Sequence, residues 1–113
     1  MKIFTDIKYS FVGNGDRCPA SCMTQTTGPN DNAGADGMAS VIAHELEEAV
    51  TDPDLDAWYD GKGYENADKC AWTFGTTYTT ANGAQANMNL GGRDFLIQRN
   101  WLNLGDGFCA LGY

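Results

Sequence analysis

The chain carries a single histidine, in the run Ala43-His44-Glu45-Leu46-Glu47-Glu48. This His-Glu-x-x-Glu sequence differs at one position from the zinc-hydrolase pattern His-Glu-x-x-His. In that pattern the residues at i and i+4 project from one helix face onto a metal, and the Glu at i+1 polarises the metal-bound water. Here His44 and Glu48 take the ligand positions and Glu45 the position of the general base. With one imidazole, any site away from the cysteines must be mostly oxygen, and carboxylate-rich ligation lowers the preference for zinc over harder cations. The expected cofactor is therefore zinc or another divalent cation, with calcium among the alternatives.

A third ligand must come from elsewhere in the chain, and Glu65 and Asp68 are the natural candidates. The order His-Glu-x-x-Glu followed by Glu-x-x-Asp resembles that of thermolysin-like zinc enzymes. The resemblance implies Glu65 as the third ligand and Asp68 as a fourth ligand or an outer partner that orients the ring. The competing reading is a solvated acidic helix edge with His44 paired to Glu48. Asp52, Asp54, Asp56 and Asp60 suggest a calcium loop, but an EF-hand starting at Asp52 needs Gly and Glu where Ala57 and Gly63 stand. A turn closing the helix explains these acids more simply. Trp58, Tyr59, Trp72, Tyr78 and Trp101 suit a sugar-stacking platform, although aromatics in a small domain are expected in the core.

The element that must position His44 and Glu48 is a helix. Asp36 is a good N-cap and Pro53 a stop, so a helix is predicted over residues 37–51. At about 100° per residue, Met38, Ile42, Leu46 and Ala49 share one face, the expected core contact. His44, Glu48 and Thr51 fall on the opposite flank and Glu45 at the edge of the apolar stripe. Residues 7–12 read as a strand closed by Gly13-Asn14-Gly15-Asp16. Short strands are expected over 70–74, 76–80, 86–89, 95–98 and 108–111. The fold class is α+β: one main helix packed on a small antiparallel sheet, in a single domain spanning 1–113. Four cysteines in a small Gly-rich chain favour disulfides and an oxidising compartment. Of three connectivities, Cys18 with Cys22 and Cys70 with Cys109 is the expected one. A four-cysteine zinc site lacks its second short-spaced knuckle.

The 113 residues hold seven basic and fifteen acidic side chains, a net charge of −8. No Lys/Arg stripe exists to neutralise phosphates, which argues against nucleic acid. No apolar run approaches the ~20 residues that span a bilayer. Met1 to Asp6 do not read as a signal peptide, because no apolar stretch follows Lys2.

Six segments in order resemble the phosphate-induced protein/EXORDIUM family of plants, also found in microbes. They are Tyr9-Ser10-Phe11-Val12-Gly13-Asn14, Cys18-Pro19-Ala20-Ser21-Cys22, Pro29-Asn30-Asp31-Asn32-Ala33-Gly34-Ala35-Asp36-Gly37-Met38, Val41-Ile42-Ala43-His44-Glu45-Leu46, Glu65-Asn66-Ala67-Asp68-Lys69-Cys70, and Gly92-Arg93-Asp94-Phe95-Leu96-Ile97-Gln98. The resemblance implies a secreted, wall-associated, extracellular protein, and against it the chain is expected to lack the family's N-terminal part. The function expected is thus a small secreted metal-binding protein, with a peptidase-like hydrolase acting on peptide or glycan as its sharper form. His44, Glu48, Glu65 and Asp68 would hold the ion and Glu45 would activate water. The alternative is a non-catalytic cell-wall or carbohydrate-interacting domain.

Overall fold

A computed structural model describes residues 7–112. The reading of Met1 to Asp6 as no leader lies outside the described residues. One long helix, α2 (Ala33–Thr51), follows a short helix α1 (Pro19–Cys22) and a 3₁₀ turn, Gly15–Arg17. A second 3₁₀ turn, Asp68–Cys70, leads into six short strands: β1 (Tyr78–Thr79), β2 (Gln85–Ala86), β3 (Met88–Leu90), β4 (Arg93–Phe95), β5 (Asn100–Leu102) and β6 (Phe108–Ala110). They form three separate antiparallel pairs, β1–β2, β3–β4 and β5–β6. The α+β class is as expected, with the antiparallel pairing divided among hairpins. Residues 7–12 and 70–74 form no strand. No helix among the described residues is long and apolar enough to cross a membrane.

The helix starts a turn earlier than its Asp36 signal. Asn32 is the N-cap, accepting from the Ala35 amide at 3.1 Å. Asp36 sits inside the first turn, buried, and accepts from the Asn30 backbone amide at 2.9 Å and from Asn30 Nδ2 at 2.7 Å. Asn30 Nδ2 also donates to the Asp94 carbonyl at 2.8 Å, tying the helix start to β4. At the other end the Asp52 amide donates to the Glu48 carbonyl, and Pro53 prevents continuation. The Asp52 carboxylate is buried and accepts from the Asp56 and Ala57 amides at 2.7 and 2.9 Å. Asp60 Oδ1 accepts from the Lys62 amide at 2.8 Å. These two acids therefore build turns, as the simpler reading of their spacing has it.

The face of α2 turned inward is the polar one, opposite to expectation. Ser40 is completely buried and its Oγ accepts from the Gln98 amide at 3.0 Å. Leu46 is 62 % exposed and Val50 73 %, and Ile42 and Ala49 are exposed as well. Among the described residues the buried apolar ones are few and mostly small: Ala67, Cys70, Ala84, Ala86 and Leu96. Polar side chains do much of the joining. Asn87 Nδ2 donates to the carbonyls of Phe74 and Ile97, while its Oδ1 accepts from the Ile97 amide. Asn66 exchanges two hydrogen bonds with the backbone of Trp101 at 2.8 and 2.9 Å. Gln98 Oε1 accepts from the Trp72 amide at 2.6 Å.

Cys70 and Cys109 are disulfide-bonded, linking the Asp68–Cys70 turn to β6. The second expected bridge is not formed. Cys18 and Cys22 are free thiols, and the hydrogen bond to Cys18 raises the Cys22 thiol above its ordinary value. The helical turn between them accounts for this. It separates i and i+4 Cβ atoms by about 5–6 Å, whereas a disulfide brings Cβ atoms to about 3.8 Å.

Candidate metal centre

Helix periodicity places His44 and Glu48 one turn apart, with Glu48 Oε1 at 3.0 Å from His44 Nε2. The pair is not on a solvated flank: each side chain is only 12 % exposed. The Asp68–Cys70 turn, pinned by the disulfide, brings Asp68 Oδ1 to 3.4 Å from the same Nε2 atom. One ligand atom from each of His44, Glu48 and Asp68 lies within 4.8 Å of the others. Both carboxylates thus approach one ring nitrogen. Among the described residues, His44 Nδ1 is buried without a hydrogen-bond partner, as is Glu47 Oε2.

The electrostatics of this cluster are unbalanced toward negative charge. Burial pushes Glu48 up to about 8, helped by the carboxylates of Asp68, Glu65 and Glu45. Burial raises Glu65 as well, with Asp52 and Asp68 adding to it, and a hydrogen bond joins the Glu65 and Asp52 carboxyls. Glu47 is raised by burial and by Glu65. Lys69, adjacent to Asp68 in sequence, is turned away. Its Nζ lies 3.6 Å from Asp60 and 4.3 Å from the centroid of the Trp101 ring.

The other expected site residues divide into two groups. Glu65 is close enough to raise Glu48 but engages Asp52 instead of joining the three-residue cluster. Glu45 and Glu65 line a groove of 730 Å³ between α2 and the segment that begins at Ile7. Glu48 and Asp52 also line this groove. Asp52 and Glu47, not among the expected site residues, also belong to the acidic environment. The Asp-Pro helix stop marked Asp52, but only the return of the chain at residues 65–68 gives it acidic neighbours.

The aromatic side chains are not in the core as expected. Trp58 and Tyr59 are more than half exposed and Trp72 nearly so. With Asp60, Asn66, Lys69 and Trp101, the first two line a second cleft of 270 Å³. Trp58 and Trp72 hold left-handed backbone angles, φ +53° and +59°. Such a conformation in a bulky residue costs roughly 1–3 kcal/mol and persists only where its surroundings fix it.

Comparison with known proteins covers most of the chain. Residues 3–101 match the family model described as the phosphate-induced protein 1 conserved region. Protein EXORDIUM-like 3 of Arabidopsis thaliana is 36% identical over 121 residues, which takes in 84% of this chain and 36% of that protein. Protein EXORDIUM-like 5 of Arabidopsis thaliana is 34% identical over 122 residues, with 82% of this chain and 34% of that protein. The chain spans about a third of the length of these curated relatives. No solved structure matches it. By the extent of the family match, the chain belongs to the phosphate-induced protein 1 family.

Proposed function

We propose that this is an extracellular metal-binding protein in which His44, Glu48 and Asp68 hold a divalent cation and Glu65 supports them from the adjoining carboxyl pair. The observation that carries the reading is the convergence of three ligand atoms within 4.8 Å of one another. Raised carboxyls support it, because a cluster of acids without a nearby cation resists ionisation and a bound cation relieves that cost. The donor set, one imidazole and carboxylates, suits zinc and also harder cations such as calcium. In the hydrolase form of the proposal Glu45, on the groove side of His44, is the general base, and the substrate lies in the groove. The Cys70–Cys109 disulfide supports an oxidising, extracellular setting.

Titration of purified protein with zinc and with calcium, followed by calorimetry, tests the site. Stoichiometric uptake that Glu48→Gln and Asp68→Asn each weaken is the expected result. Unchanged metal content in Glu48→Gln would remove that residue from the ligand set. Glu45→Gln should retain the ion and lose any turnover.

The carbohydrate-interacting reading is favoured by a separate observation: the exposed Trp58 and Tyr59 beside Asp60 in the 270 Å³ cleft. Aromatic faces bordered by polar side chains suit stacking on sugar rings. Binding to wall oligosaccharides that Trp58→Ala abolishes, in chelator and in metal alike, would favour this reading over the metal-dependent one.

A further inference from the structure

The 270 Å³ cleft sets two exposed aromatic side chains, Trp58 and Tyr59, beside polar ones. Trp58 also lines an adjoining cleft of 340 Å³, so it is common to both. Its backbone φ of +53° is strained for so bulky a residue, and a ring more than half exposed gains little core packing in return. Trp101 reaches both clefts too, but Lys69 lies over its ring. The open platform is therefore Trp58 with Tyr59. Among the described residues the cleft lining holds one cation, Lys69, and it is already neutralised. Its Nζ lies 3.6 Å from Asp60 Oδ2. Asp60 Oδ1 accepts from the Lys62 and Tyr64 amides at 2.8 and 3.1 Å, which holds that carboxyl below its ordinary value. Asn66 is committed to the Trp101 backbone. Asn103 Oδ1 accepts from Trp101 Nε1 at 2.8 Å, which leaves Asn103 Nδ2 to donate.

Resting on the carbohydrate-interacting reading, we infer that this cleft takes a neutral, flat glycan, a β-linked chain of pyranoses whose ring substituents are equatorial. Such rings show only C–H bonds on their faces, and those faces stack on the exposed indole and phenol rings. Hydroxyls at the ring edge can accept from Asn103 Nδ2 and donate to the Asp60 carboxylate. A chain of uronic acids finds no such match. Its carboxylates need a cation, and the one at hand is held by Asp60. The net charge of −8 repels them as well. Because Trp58 borders both clefts, a flat chain can lie across it and leave sugar rings on either side. A coiled chain of the same sugar turns away after one ring and loses that second contact.

Calorimetric titration of the purified chain with cellohexaose, in excess chelator, tests this. The comparators are hexagalacturonate, which is charged, and maltohexaose, which joins the same glucose rings into a coil. Cellohexaose should bind about tenfold more tightly than either. Trp58→Asn should weaken it by about tenfold, the loss of an aromatic anchor. Asparagine tolerates the left-handed backbone, so the melting temperature of this variant should hold or rise. Tyr59→Ser, at a position without that strain, should weaken binding in the same direction and carries the test if Trp58→Asn unfolds. The inference is overturned if hexagalacturonate or maltohexaose binds as tightly as cellohexaose, although the broader carbohydrate reading then stands. It is also overturned if the folded variants bind cellohexaose as wild type does, because the sugar then sits elsewhere. Binding of none of the three removes the carbohydrate reading and this inference together.

Discussion

The two faces of α2 obey different rules. One carries Asp36, Ser40, His44 and Glu48 and is turned inward; the other carries Ile42, Leu46 and Val50 and is exposed. The polar face is buried because it has partners to meet: the Gln98 amide for Ser40, Asn30 for Asp36, and Asp68 for His44. A buried polar group that is hydrogen-bonded is tolerated, and one left unpaired is costly. Burial on this helix therefore follows complementarity with the chain that returns across it, and hydropathy alone chooses the wrong side. The same contrast separates the candidate site from the groove. The first is built by partners within the chain, and the second is defined by apolar surface the described residues do not cover.

The contrast is broken most severely by removing what holds the returning chain. Replacing both Cys70 and Cys109 by alanine opens a link between residues 39 apart, and the expected loss is about 4 kcal/mol in the chain-entropy model. Urea titration reads it, and a loss below a quarter of that would mean the polar contacts hold the turn unaided. Next comes Ser40→Ala, which leaves the buried Gln98 amide without its acceptor. The expected loss is about 1–3 kcal/mol. If it costs no more than an exposed substitution, the inward polar face is not held by that bond.

A pH series without metal sharpens the comparison further. Glu48 is raised from an ordinary value of 4.5 to about 8, so folding favours its protonated form. The stability it contributes is complete below 4.5 and is lost as pH rises through about 8. Melting temperature of the metal-free protein should fall over that interval, and Glu48→Gln should flatten the fall. Glu47 and Glu65, also raised, act with the same sign. An added divalent cation should stabilise more at the alkaline end than at the acid end. A profile identical in wild type and Glu48→Gln would place the titration elsewhere. The smallest effect belongs to the other face: Leu46→Ser should change stability by no more than about 0.5 kcal/mol, as measured by the same urea titration.

Local chemistry made part of this molecule legible in the sequence. Helix periodicity and Pro53 located α2, the i, i+4 relation paired His44 with Glu48, and the even cysteine count pointed to the Cys70–Cys109 bridge. Asp68 could be nominated, together with Glu65, from the Glu-x-x-Asp order downstream of the helix. What stayed hidden depends on contacts distant in sequence. Ser40 to Gln98 spans 58 positions and decides which face is buried. Asn32 displaced Asp36 as the cap because Asp36 is held by Asn30, itself bonded to β4. The strands were located only in part: β1 and β6 fall inside the expected 76–80 and 108–111, but β5 was missed and 7–12 and 70–74 form no strand, because pairs of two or three residues are too short for alternation to register and amide side chains replace part of the expected ladders.

Those amides have a consequence for how the protein ages. Asn66 and Asn87 each give a donor and an acceptor to backbone groups, as a neighbouring strand would. Hydrolysis of either amide to a carboxylate keeps its shape but removes the donor and sets a negative oxygen against a carbonyl. A change of one functional group would thus undo a junction between segments without cutting the chain, giving the molecule a chemical lifetime separate from its thermal one.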